Sequence, residues 1–299
     1  MTSRFIVALA LAAGCTQAPP PKPATTPTTP TTPTAAAPAA PFTVTVTGHG
    51  PPVLFIPGLS SPGSVFDAAV AHLAPHHTCY VFTLAGFAGV PPTATAAFLP
   101  TERDAILAYV RANHLARPLV VGHSIGGFLA YALAVQAPHD IAGVLAVDGL
   151  PFMPALIDPS TTPARVEPQA AQMRDTFATM DHAAFALQTR KALQAMITRP
   201  EDVERVLADS VRSDPPTVGR AVYELMTTDL RPNLATLAMP VWLIQASDRP
   251  GMRAAYEAQL ATAPDHRVIV AADARHFVML DDPALMNQTL DQLLALVQR

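Results

Sequence analysis

Ser124 stands in Gly122-His123-Ser124-Ile125-Gly126, a G-x-S-x-G pentapeptide. A serine hydroxyl is a poor nucleophile at neutral pH and attacks only when a base takes its proton and an acid orients that base. The apolar run 118–121 precedes the pentapeptide and a small-residue helical stretch, 127–136, follows it. The context is therefore strand, sharp turn and helix, which lifts a serine to the rim of a sheet. Glycines on both sides let the chain turn tightly and let strand and helix approach without a Cβ between them. A tight turn with no chemistry would use the same glycines, so the partners of Ser124 must decide.

Ten histidines compete to be the base. His276 lies between the last expected strand and the last expected helix, in Ala274-Arg275-His276-Phe277-Val278-Met279-Leu280-Asp281-Asp282-Pro283. In a parallel α/β sheet, residues just beyond the carboxyl ends of the strands converge on one crevice, and the same rule brings Ser124 there. His123 adjoins the serine, but its side chain should point away and play a supporting part. The other eight histidines fall in loops or at helix ends, where a solvated imidazole is the ordinary outcome.

Two carboxylates occupy strand ends on that rim. Asp248, in Gln245-Ala246-Ser247-Asp248-Arg249-Pro250, follows the run Val241-Trp242-Leu243-Ile244 and is the first choice; Asp148, after the run 141–147, is the alternative. Two donors are also needed for a developing oxyanion, each worth roughly 3 kcal/mol of barrier. The Ile125 N–H, at a helix N-terminus, is one. The Leu59 N–H is the other, since Gly58 lets that loop turn inward.

The elements that position these groups follow from periodicity. Phe42 to Thr47 alternates threonine with apolar residues as an edge strand does, whereas 53–56 is the continuous apolar run of a buried parallel strand, and 79–84, 119–122 and 141–147 read as further strands. The stretch 65–73 places Phe66, Val70 and Leu73 on one helical face. Thr101-Glu102-Arg103-Asp104 reads as a capping-box start for a helix running to about His114. Strands alternating with helices imply a mostly parallel sheet covered on both faces. From 150 to 237 the rhythm stops, and amphipathic patterns over 165–180, 182–197, 201–212 and 216–228 imply an all-helical cap inserted into the core 42–149 and 238–299. Strands resume at 241–244 and 267–270, and a helix from Pro283 to about Val297 closes the chain. In the cap, Met153, Met173, Met180, Met196 and Met226, with Phe152, Phe177 and Phe185, would pack it together or line an apolar acyl pocket.

Half of the 299 residues are apolar, enough for a large core, and the formal net charge is −4 with 14% charged residues. That balance argues against a nucleic-acid partner. Of the two cysteines, Cys79 reads as a buried strand thiol, and no disulfide or zinc framework is available. Residues 1–15 have a short positive start and an apolar run too short to span a bilayer, as an export signal does. Ala12-Ala13-Gly14-Cys15 resembles a bacterial lipobox, with Cys15 as the lipidated residue, and an ordinary secretory cut nearby is the alternative. In 16–41, 24 of 26 residues are Pro, Thr or Ala. Such a segment cannot bury a core and makes a disordered, semi-rigid tether of up to about 80 Å. Anchor and spacer together place the chain at the cell envelope, facing the periplasm or the outside.

These residues together resemble the α/β-hydrolase fold family over about 50–299. The order Ser124, Asp248, His276 is the family's order, and 276–283 is similar to its terminal catalytic-histidine segment. Pro57-Gly58 stands where many members carry His-Gly, and Leu84-Ala85-Gly86-Phe87 replaces the usual Asp-x-x-Gly. The resemblance implies a serine hydrolase of carboxylic esters, with a small-molecule substrate and no cofactor or metal. No protein partner is evident. Amide, lactone or carbon–carbon cleavage by the same residues is the alternative, and a silent binding protein is a further one.

Overall fold

The computed structural model describes residues 41–247 and 252–298. The expected export signal with Cys15, nearly all of the Pro/Thr/Ala segment and Asp248 lie outside them. Seven strands form one sheet in the order β1-β3-β2-β4-β5-β6-β7. They are β1 Phe42–Gly48, β2 Pro52–Ile56, β3 Thr78–Leu84, β4 Leu119–His123, β5 Gly143–Val147, β6 Val241–Ala246 and β7 His266–Ala271. Only β1 is antiparallel, pairing Phe42 with Leu84 through Gly48 with Thr78 on β3. The threonines of β1 alternate with apolar residues because this strand forms the sheet's edge, where one face reaches water.

Period-two alternation divides the core. Leu54 and Ile56 of β2 join one buried cluster, with Phe82 and Leu84 of β3. Val53 and Phe55 join the other, with Cys79 and Val81. Against the first face pack α2 Phe98–Ala112, α3 Ile125–Gln136 and, further along the chain, α8 Met252–Leu260. The second is covered by α1 Asp67–Leu73 and the terminal helix described below. Every residue of α3 from Ile125 to Ala134 is buried, so this helix is apolar all round. The segment expected as one helix from Val65 splits, because Gly63–Phe66 is a 3₁₀ turn leading into α1.

The sequence pattern misplaced the start of α2. Its first turn begins at Phe98, ahead of the Thr101–Asp104 box, because the free Phe98 and Leu99 N–H groups donate to the two carboxylate oxygens of Glu224, at 2.8 and 2.6 Å. A cap supplied from 126 residues away leaves no local signature. Glu102 points inward instead, fully buried and with neither carboxyl oxygen hydrogen-bonded among the described residues. Burial pushes its carboxyl up to about 8, against a smaller opposing pull from the Ala85 amide. That amide already donates to the Pro41 carbonyl.

Between β5 and β6 the chain forms α4 Pro163–Ala178, α5 His182–Met196, α6 Pro200–Ser210 and α7 Pro215–Thr227. Ala170 and Phe177 of α4, Phe185 of α5 and Val218, Ala221 and Val222 of α7 join the first core cluster. Leu193 of α5, Ile197 just after it, and Val203, Val206 and Leu207 of α6 join the second. Helix α5 thus contributes side chains to both cores. Phe152, Phe177, Phe185 and Met226 are buried in packing, with Met153, Met173 and Met180 partly buried against them. The chain ends with α9 Val278–Asp281 and α10 Pro283–Val297, whose Leu290, Leu293 and Leu294 are buried.

Candidate active site

Ser124 sits between β4 and α3 with φ 54 and ψ −119. A non-glycine residue at positive φ is strained, and its persistence requires surroundings that force it. Those surroundings are visible. The Ser124 N–H donates to the Val147 carbonyl at 2.9 Å, and the Ser124 carbonyl accepts from Phe128 N–H, fixing the peptide on both sides. A Cβ at Gly122 would lie 2.1 Å from the Gly126 carbonyl oxygen, and one at Gly126 would lie 2.1 Å from the Ile56 carbonyl oxygen. Both contacts are with backbone that cannot move aside, so the motif's glycines are needed for close approach. Positive φ recurs at Ser60, Asp148 and Ser247, which follow β2, β5 and β6 at the same rim of the sheet.

His276 reaches this rim from the loop between β7 and α9, with its Nδ1 2.5 Å from Asp148 Oδ2. A carboxylate oxygen accepts, so Nδ1 carries the proton and Nε2 keeps the lone pair that a base requires. This replaces the expectation that Asp248 orients the histidine: the position at Nδ1 is filled by Asp148, the alternative, and Asp248 lies outside the described residues. The physical reason is the strand order. β5 and β6 are neighbours whose ends share one rim, and Asp148, turned by its own positive φ of 47, projects directly to the imidazole. Its other oxygen, Oδ1, accepts from Tyr256 Oη at 2.6 Å and from the Ala246 N–H at 3.1 Å. Three donors therefore hold the carboxylate in one orientation. Tyr256, on α8, carries no motif and was invisible to pattern reading.

His123 is likewise more than a bystander. It is fully buried, its ring centroid lies 4.6 Å from that of His276 and 4.4 Å from that of Phe277, and its Nε2 lies 3.1 Å from the His276 carbonyl oxygen. Because a carbonyl only accepts, Nε2 is protonated and Nδ1 is not. Burial, then the neighbouring His276, drive its pKa well below the ordinary histidine range, with the carbonyl bond a smaller opposing effect. A ring that stays neutral adds no charge beside an imidazolium forming on His276.

The donors for an oxyanion come from two chain segments. Ile125 begins α3, where backbone N–H groups lack intrahelical partners. Leu59 is the second residue of a turn closed by Ser61 N–H donating to the Gly58 carbonyl at 3.1 Å, with Ser60 at φ 58 in the third position. Such a turn does not consume the N–H of its second residue. A Cβ at Gly58 would lie 2.6 Å from His123 Nδ1 and 3.3 Å from Ser124 Cβ, so this loop passes directly over the elbow. Ser60 is tied to the cap through its carbonyl, which accepts from the buried Ser213 hydroxyl at 3.4 Å. Among the described residues no group of three or more His, Cys, Asp or Glu could hold a metal ion. The arrangement offers a nucleophile on a strained turn, an oriented base and two backbone donors, the parts of acyl transfer.

A family model described as the alpha/beta hydrolase family matches residues 53–289. The chain is 26% identical over 259 residues to the pimeloyl-[acyl-carrier protein] methyl ester esterase of Xylella fastidiosa (strain M12), covering 84% of this chain and 98% of that protein. Among solved structures, a thermophilic esterase from Thermogutta terrifontis matches with a TM-score of 0.74 at 18% identity, over 86% of this chain and 94% of the other. The enol-lactonase from Burkholderia xenovorans LB400 matches with a TM-score of 0.70 at 17% identity, over 85% and 96%. The two structural likenesses speak to fold alone.

Proposed function

The chain belongs to the alpha/beta hydrolase family, and from that premise and the geometry at Ser124 we propose that it is a serine hydrolase cleaving carboxylic esters through Ser124, His276 and Asp148. The observation that carries this reading is the contact of Asp148 Oδ2 with His276 Nδ1, on the rim where the elbow presents its serine. His276 Nε2 takes the Ser124 proton as the oxygen attacks the acyl carbon, and returns it to the departing alcohol. Asp148 holds the ring and stabilises the imidazolium. The Leu59 and Ile125 N–H groups face the tetrahedral oxyanion in a largely buried setting, where such donors act more strongly than in water. Water then enters by the same path and releases the acid. The esterase relative of Xylella fastidiosa supports the ester as the bond.

Labelling with a fluorophosphonate probe tests the reading. Wild type should label, Ser124→Ala should not, and only the wild type should hydrolyse a p-nitrophenyl ester series. Comparable labelling of the two proteins would discard Ser124 as nucleophile.

We also propose export with a lipid attached at Cys15, supported by Ala12-Ala13-Gly14-Cys15 and the Pro/Thr/Ala segment behind it. In bacterial cells fed an alkyne fatty acid, the wild type should take up label and sediment with membranes. Cys15→Ala should do neither. Unchanged incorporation in that variant would rule Cys15 out.

A further inference from the structure

The peptide that carries His276 is gripped on both sides by the cap. The Arg275 guanidinium donates from one nitrogen to the carbonyls of Gln194, at 3.0 Å, and Ile197, at 3.1 Å. These close the C-terminus of α5, where the last carbonyls lack intrahelical partners and the helix dipole is negative. On the other side of the histidine, the Phe277 N–H donates to the Met196 carbonyl at 3.3 Å. Asp281 completes the grip, accepting from the Thr198 N–H at 3.0 Å, the Thr198 hydroxyl at 2.9 Å and the Arg275 N–H at 2.8 Å. Leu193 and Ile197 at this end of α5 share a buried cluster with Phe277, Val278 and Met279, so the bonds join two anchored segments.

We propose that Arg275 is a positioning residue for His276, whose guanidinium fixes the histidine's loop on the last turn of α5 so that the cap becomes part of the frame that places the base. The inference rests on the serine-hydrolase reading. Asp148 orients the ring from the sheet and His123 holds the His276 carbonyl, but neither fixes the loop against sliding along the rim. Arg275 does this from solvent, through bonds that the chemistry itself never uses. A base displaced by an ångström costs on the order of 10²-fold in rate, so a clamp of this kind acts on turnover more than on substrate affinity.

The test uses the full-length chain as wild type, Arg275→Met and Arg275→Lys, with p-nitrophenyl butyrate and a fluorophosphonate probe. Arg275→Met should lower kcat and the rate of Ser124 labelling by about 30-fold, with KM and the unfolding midpoint little changed. Arg275→Lys, which keeps a donor for one of the two carbonyls, should recover most of the rate. A labelling rate in Arg275→Met equal to wild type, or a loss that only follows the unfolded fraction, overturns the inference. Should Arg275→Met fail to fold, Arg275→Gln, which also removes the guanidinium bonds to the Gln194 and Ile197 carbonyls, takes its place. It should slow labelling by about 10-fold or more, and an unchanged rate overturns the inference equally. A wild type that neither labels nor hydrolyses overturns the serine-hydrolase reading and this inference with it, whereas an active wild type with no labelling defect in the Arg275 variant overturns only the inference.

Discussion

Asp148→Asn is expected to lower kcat against a soluble aryl ester by about 10⁴-fold, with little change in KM. An asparagine can present its amide N–H₂ to His276, and the imidazole then turns Nδ1 into the acceptor and places its proton on Nε2, where the lone pair is needed. The side-chain shape survives while the base is lost, so the unfolding midpoint should fall far less than the rate. Asp248→Asn should leave kcat nearly unaltered. Steady-state kinetics on the two purified variants decide the matter, and a larger loss at Asp248 would return the acid to the loop after β6.

The second large effect concerns stability and pH. Glu102 is fully buried and its carboxyl is held up at about 8, against an ordinary value of 4.5. Between those values the folded protein keeps a proton that the unfolded chain releases. The Glu102 contribution to stability is therefore fully present below the unfolded value and is lost as pH rises through the folded one, by up to about 1.4 kcal/mol per unit. Glu102→Gln keeps the shape and removes the ionisation. Denaturant unfolding of the two proteins from about pH 5 to pH 8 should show wild type losing stability relative to the variant as pH increases. Parallel curves would mean that Glu102 finds a partner or water when ionised.

What could be read from sequence was what local patterning encodes. The strand, turn and helix around Ser124 and the loop position of His276 are short-range features, since each depends on a strand end and its adjoining helix. The acid was harder because β5 and β6 are adjacent, and an aspartate after either meets the same rim. What marks Asp148 is its contact with His276 Nδ1 and the donors on its second oxygen, and both come from tertiary structure. The start of α2 was missed for the same reason, because Glu224 caps it from another helix. His123 was legible as a supporting residue, but its grip on the His276 carbonyl joins positions 153 apart in the chain.

The register of the sheet also bears on how the protein is made. Val144 pairs with Val241, about a hundred residues later, whereas every other pairing of parallel neighbours closes a shorter span. On a ribosome, β5 therefore emerges with one apolar edge open and stays so until the whole cap has been synthesised. Closing so long a loop slows folding more than it weakens the finished fold. The four cap helices, whose contacts are more local, have time to pair before β6 arrives. For a nascent chain the cap is thus a delay built into the middle of the sheet, through which the edge of β5 that later meets β6 waits unpaired.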